Sequence, residues 1–170
     1  MKNLQPKIYV ACLAAYNSGY LHGDWIDAHQ DVNALYEEIK TMLLNSPIKD
    51  AEEWAIHDYS DFGGILIEES TNLEKIAELV DFLVNNDELS IAVLAHTYGD
   101  IDAARSLLED CYHGEYKSEE DFAISLAQDT MEIPEHLDFY IDYEKMARDL
   151  FINDFFSIEV NHKVYVFSYH

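Results

Sequence analysis

The sequence predicts an α+β fold of three small subdomains in a row, and three observations carry that reading. Short β-branched apolar runs lie near both ends of the chain. Longer stretches between them carry apolar residues at helical spacing. Hydrophobic residues make up 49 % of the 170 residues and aromatics 13 %, enough for a folded core and too aromatic for a disordered chain. The expected subdomains are an N-terminal antiparallel sheet plus helix over 1–61, a central helical bundle over 62–103, and a C-terminal mixed sheet and helices over 104–170.

Each element has its own signal. Ile8-Tyr9-Val10-Ala11-Cys12-Leu13 is a continuous apolar run of buried-strand type. Asn17-Ser18-Gly19 supplies a turn, and residues 20–28 read as a returning strand with Gly23 as a bulge. Asp31 caps a helix whose apolar positions are Val32, Leu35, Tyr36, Ile39, Met42 and Leu43. Residues 53–59 form a third strand, followed by a loop over 61–64.

The middle is helical. From Leu73 the apolar positions Ile76, Leu79, Val80, Leu83 and Val84 share a face, and Phe82 falls opposite them, so this helix contacts neighbours on two sides. A second helix runs over 88–98 with Gly99 placed to end it. A third starts at Asp100 and buries Ile101, Ala104, Leu107, Leu108 and Cys111. Ser118 caps a helix carrying Phe122, Ala123, Leu126 and Ala127 inward. A last helix over 142–153 buries Tyr143, Met146, Ala147, Leu150 and Phe151. Strands over 155–160 and 164–168 follow, with Asn161-His162 as a tight hairpin turn.

Charge is the strongest global signal. Ten Lys and Arg stand against 34 Asp and Glu, a net charge of −24. That excludes binding of nucleic acid through a basic surface and argues against docking on anionic membranes. No run approaches the ~18 apolar residues of a membrane span. The N-terminus lacks a signal-peptide pattern. Cytoplasm is therefore the expected address, with Cys12 and Cys111 reduced and structural.

Catalytic motifs are missing. The sequence holds no phosphate-binding GxxxxGK[ST], no GxGxxG, no GxSxG, no HExxH and no CxxC. The eight histidines are scattered. Asp58-Tyr59-Ser60-Asp61 resembles a fragment of a cation loop but lacks the EF-hand spacing and closing Glu. No catalytic residue, metal site or cofactor is expected.

What remains is acidity spread over amphipathic helices. Glu74, Glu78 and Asp81 form a stripe, Asp102, Glu109 and Asp110 face water, and Glu119, Glu120 and Asp121 fill a first helical turn. First-turn acids favour the helix dipole, a structural reason for part of that cluster. Solvated helices ordinarily interleave both signs, and the scarcity of Lys and Arg here points to a surface read by a basic partner. Apolar residues are dense around Leu107, Leu108, Tyr112, Phe155 and Phe156.

Two stretches resemble the N-terminal part of the ArdA family of antirestriction proteins: Ile8-Tyr9-Val10-Ala11-Cys12-Leu13, and Leu21-His22-Gly23-Asp24-Trp25-Ile26-Asp27-Ala28. Glu52-Glu53-Trp54-Ala55-Ile56-His57-Asp58-Tyr59 with Phe62-Gly63-Gly64 fits the same family. So does Asp142-Tyr143-Glu144-Lys145-Met146-Ala147-Arg148-Asp149-Leu150, continuing to Phe155-Phe156-Ser157-Ile158-Glu159. The resemblance implies inhibition of type I restriction–modification enzymes by mimicry of DNA in the groove of the methyltransferase core. It also implies an elongated homodimer, whose contact is expected at the apolar residues Leu107, Leu108, Tyr112, Phe155 and Phe156, carriage on plasmids or conjugative transposons, and no catalytic residues.

Charge arithmetic points the same way. A dimer with twice the −24 of one chain matches roughly 80 Å of duplex at one charge per ~1.7 Å. A compact globule of that size has a radius of gyration of only about 20 Å, so mimicry requires an elongated dimer. Two other classes compete. An acidic adaptor for another basic protein differs only in its partner. A metal-dependent hydrolase using carboxylates and His would lose activity on a single substitution.

Overall fold

The computed structural model describes residues 4–169. They belong to two compact units, Met1–Ile101 and Asp102–His170. Among the described residues there are eight α-helices and two three-stranded antiparallel sheets, so the α+β expectation holds.

In the first unit, β1 (Lys7–Cys12) is the central strand, between β2 (Gly23–Asp27) and β3 (Trp54–Ser60). Strand alternation puts Ile8, Val10 and Cys12 on one face, where all three are fully buried. α2 (Val32–Leu44) packs against β1 and β2 and buries Leu35, Ile39 and Met42. Asp31 caps it, accepting from the Asn33 N–H at 2.8 Å. Such a cap is worth about 1 kcal/mol.

Three local readings change here. The run ending at Leu13 is cut short by α1 (Leu13–Asn17), whose first turn is held by Cys12 Sγ accepting from the Ala15 N–H at 3.5 Å. The returning strand covers only Gly23–Asp27 rather than the whole of 20–28. Gly23 is not a bulge: it pairs in regular register with Ala11. A Cβ there would lie 2.4 Å from the Val10 carbonyl oxygen and 2.9 Å from the Tyr9 ring, so glycine makes room first for backbone and then for a side chain. The register shift lies on the other side of β1, where His57 is the extra residue between Ile56 and Asp58.

α3 (Leu73–Asn85) and α4 (Glu88–His96) complete the unit, capped by Asn72 and Asp87. Leu73, Ile76, Leu79, Val80 and Leu83 are buried, and Phe82 is only 4 % exposed, so α3 is enclosed on two sides as expected. Gly99 ends α4 as predicted. Its N–H returns to the Leu94 carbonyl at 2.9 Å, with φ at +82° where a side chain is strained.

The second unit opens with α5 (Ile101–Ser106), then widens into a π-helical turn over Leu107–Cys111. The uniform helix expected up to Cys111 is therefore broken at Leu107. Ala104 and Cys111 are buried, while Leu107 and Leu108 stay half-exposed. β4 (Tyr112–Tyr116) follows and forms the sheet order β4-β6-β5 with β5 (Phe155–Val160) and β6 (Lys163–Ser168). Asn161 and His162 both take positive φ, 52° and 63°, as a two-residue type I′ hairpin requires.

α6 (Glu119–Thr130) packs on α8 (Tyr143–Asn153), with the short α7 (Glu135–Asp138) between them in sequence. Phe122 anchors this core, meeting the rings of His113, Tyr116, Phe151 and Phe155 within 4.8–6.3 Å. The burial expected along α8 is only partly realised. Ala147 is buried, whereas Tyr143, Met146, Leu150 and Phe151 are half-exposed.

Candidate protein-docking surface

The predicted acids stand on helix surfaces. In the first unit Glu74, Glu78 and Asp81 are exposed on α3. Glu74 accepts from the Tyr36 hydroxyl at 3.3 Å, and Asp81 accepts from Asn85 Nδ2 at 2.8 Å. Partial burial, and then the Glu74 carboxylate, push the Tyr36 phenol above its usual pKa. Glu78 has a Lys75 ammonium 3.9 Å away. An exposed pair of this kind is worth about 0.2–1 kcal/mol and leaves the carboxylate available to a partner.

In the second unit Asp102 lies in the first turn of α5, and Glu109 and Asp110 on the π-helical turn, all three exposed. Asp110 accepts from the Ser106 hydroxyl at 3.3 Å. Ser118 caps α6 as predicted, its Oγ accepting from the Asp121 N–H at 3.1 Å. Glu120 and Asp121 are exposed, and half-buried Glu119 accepts from the Ser157 hydroxyl at 2.8 Å. The helix dipole stabilises these three acids, so their spacing serves the fold as well as the field.

Both units share the charge. Residues 1–101 hold 18 acids and 5 Lys, and residues 102–170 hold 16 acids and 5 Lys or Arg; the differences are −13 and −11, matching the −24 total. No charged residue is buried among the described ones. Neutralisation within the chain is slight. Lys40–Glu37, Lys75–Glu78 and Arg148–Glu144 are exposed pairs within single helices at 3.4–3.9 Å. Lys163–Glu115, at 2.7 Å across β4 and β6, is closer. The hydrogen bond from Lys163 is the main force holding the Glu115 carboxyl below its ordinary range, and the same bond raises the Lys163 ammonium.

The residues suggested for a contact between copies are spread over the second unit. Leu107 and Leu108 sit on the π-helical turn and Tyr112 opens β4, 39 % exposed. Phe155 and Phe156 are consecutive in β5 and so point to opposite faces. Phe155 enters the ring cluster around Phe122, and Phe156 stacks on Phe167 at 5.4 Å.

A cleft of about 720 Å³ lies beside the end of α2, lined in part by Leu43, Leu44, Ile48 and Trp54. No group of three His, Cys, Asp or Glu able to hold a metal occurs among the described residues. No described helix is long and apolar enough to cross a membrane. No sequence motif marks the pairing of Tyr9 and Trp25 on the sheet face away from α2, with ring centroids 5.6 Å apart. Their alternation with buried Ile8, Val10 and Ile26 is the signal that finds them.

Fold and charge together define a small, strongly acidic α+β protein. Residues 8–164 match the family model for antirestriction protein (ArdA), and the chain belongs to the ArdA family. Its function is antirestriction, and the family is not a known enzyme family. Comparison with curated proteins finds no match.

Proposed function

We propose that this protein blocks type I restriction–modification enzymes by occupying the DNA-binding groove of their methyltransferase core as a mimic of DNA. The net charge of −24, carried by both units and nowhere buried among the described residues, is the observation behind this reading. A groove built for duplex DNA presents cations to a polyanion, and a protein with dense exposed carboxylates competes for them. Glu74, Glu78, Asp81, Asp102, Glu109, Asp110, Glu119, Glu120 and Asp121 are the acids assigned to that surface.

The acting species in this reading is an elongated homodimer joined through the second unit. Half-exposed Leu107 and Leu108 beside Tyr112 favour that contact. Apolar burial must outweigh repulsion between two acidic chains. The action is intracellular, where the enzyme and its DNA meet. Each chain in this reading comprises an N-terminal α/β subdomain over 1–61, a central helical one over 62–103 and a C-terminal α+β one over 104–170.

Electrophoretic competition tests this. Increasing protein is added to a complex of a type I methyltransferase core with a DNA duplex. The protein should release the DNA without binding DNA itself, because two polyanions repel. Stable binding to bare duplex, or no release at saturating protein, contradicts the proposal.

A further inference from the structure

The first sheet has two unlike faces. Register partners share a face, so Trp25, Tyr9 and Asp58 form one row across β2, β1 and β3. Asp27, Lys7 and Ser60 form the next row on the same face. α2 packs against the sheet where Ile8, Val10 and Ile26 are buried, at most 1 % exposed. On the other face Lys7, Trp25, Asp27, Asp58 and Ser60 are all exposed, Trp25 at 49 %.

Tyr9 is held in place there. Its ring lies over Gly23, where a Cβ would come within 2.9 Å of Cζ and Oη. Trp25 packs beside it at 53° between ring planes. Covering a strand glycine explains Tyr9, but it does not explain leaving half an indole in water. Neighbouring strands stand about 4.8 Å apart, and same-face residues along one strand about 6.6 Å apart, so Asp58, one strand from Tyr9, and Asp27, two residues from Trp25, lie within reach of a group resting on the rings.

We propose that this open face, centred on Tyr9 and Trp25 beside Asp27 and Asp58, is a docking platform for arginine side chains of a basic protein partner. The inference rests on the reading that the protein engages a basic enzyme surface. A guanidinium is planar, weakly hydrated, able to stack on an aromatic face and to fork onto a carboxylate. An ammonium satisfies the carboxylates but stacks poorly. Nucleobases also stack on aromatics, yet two carboxylates against the one ammonium of Lys7, in a unit of net charge −13, repel their phosphates. The platform thus supplies short-range attraction that salt does not screen, beside a long-range field that salt does.

Two labelled peptides, alternating arginine or lysine with glycine, are titrated into the full chain and followed by fluorescence anisotropy. The arginine peptide should bind several-fold tighter, and Trp25→Ala should make the two equal. In the DNA-release assay Trp25→Ala should weaken release about five- to tenfold at low and high salt alike. Neutralising an acid should matter less as salt rises. Equal binding of both peptides by the unaltered protein overturns the platform whether or not the variant folds. So does a folded Trp25→Ala protein that releases DNA as the unaltered one does. Preference for the arginine peptide without any release of DNA sinks the mimicry reading and leaves the platform standing.

Discussion

The two units carry almost equal charge on unequal interiors. Of the apolar residues enclosed in the described structure, 23 lie in the first unit and eight in the second, and four of those eight are alanines. The second unit instead keeps Leu107, Leu108, Met146, Leu150 and Phe151 half-exposed. Charge density is therefore set independently of core quality. A thin core must resist the same self-repulsion as a thick one, so the proposed contact between copies would matter most in the second unit.

The largest effect expected from this contrast is on stability. Phe122→Ala empties the centre of the second unit's ring cluster and should cost about 3–5 kcal/mol, removing hydrogen-exchange protection from α6 and α8. Ile76→Ala in the first unit should cost about 2–5 kcal/mol while leaving its sheet protected. Equal loss of protection in both units after Phe122→Ala would break the comparison.

Next in size is association. Leu108→Asp puts a charge at the proposed contact and should shift sedimentation from dimer to monomer, with the first unit's spectrum unchanged. Salt comes third. Raising it from about 0.01 M to about 1 M shortens the Debye length from about 30 to about 3 Å, so both the melting temperature and dimer affinity should rise. A protein held by exposed ion pairs would move the other way.

The smallest effect concerns the Lys163–Glu115 pair. Glu115 is depressed, so its contribution is present above the ordinary carboxylate value of about 4.3 and lost as pH falls through its lowered pKa. Lys163 is raised, so its contribution is present below about 10.4 and lost as pH climbs through its raised value. Both groups are about half exposed, so Lys163→Met should lower thermal stability only slightly, and only between those limits. An effect of Lys163→Met that does not shrink as pH falls from 7 into the acid range would contradict the assignment.

Much of this fold is legible from local pattern. α2, α3, α6 and α8 all begin at capping residues followed by apolar spacing, and Asn161-His162 fixes its hairpin through φ alone. Strand β4 was not legible. Its Tyr-His-Gly-Glu-Tyr has no apolar alternation, and only pairing with β6 makes it a strand, across a register shift that ends at positive-φ Gly114. The π-helical turn is hidden for a related reason, since helical spacing continues through Leu107 and Leu108 while β4 and β6 decide where the chain turns. The acids were individually visible on their helices. Their division between two units of nearly equal charge depends on long-range contacts that no local window contains.

In the proposed mechanism, inhibition comes from charge shared across both units. Its most direct test is a series of inhibition curves against a type I enzyme, with folding checked by circular dichroism. One variant loses Glu78, one loses Glu119, Glu120 and Asp121 together, and one loses those three plus Glu74, Glu78 and Asp81, each changed to its amide. Each loss is worth at most about 1 kcal/mol, so affinity should fall by at most about fivefold per acid, and the six-acid variant should be weakest. A single amide that eliminates inhibition in a folded protein would contradict the account.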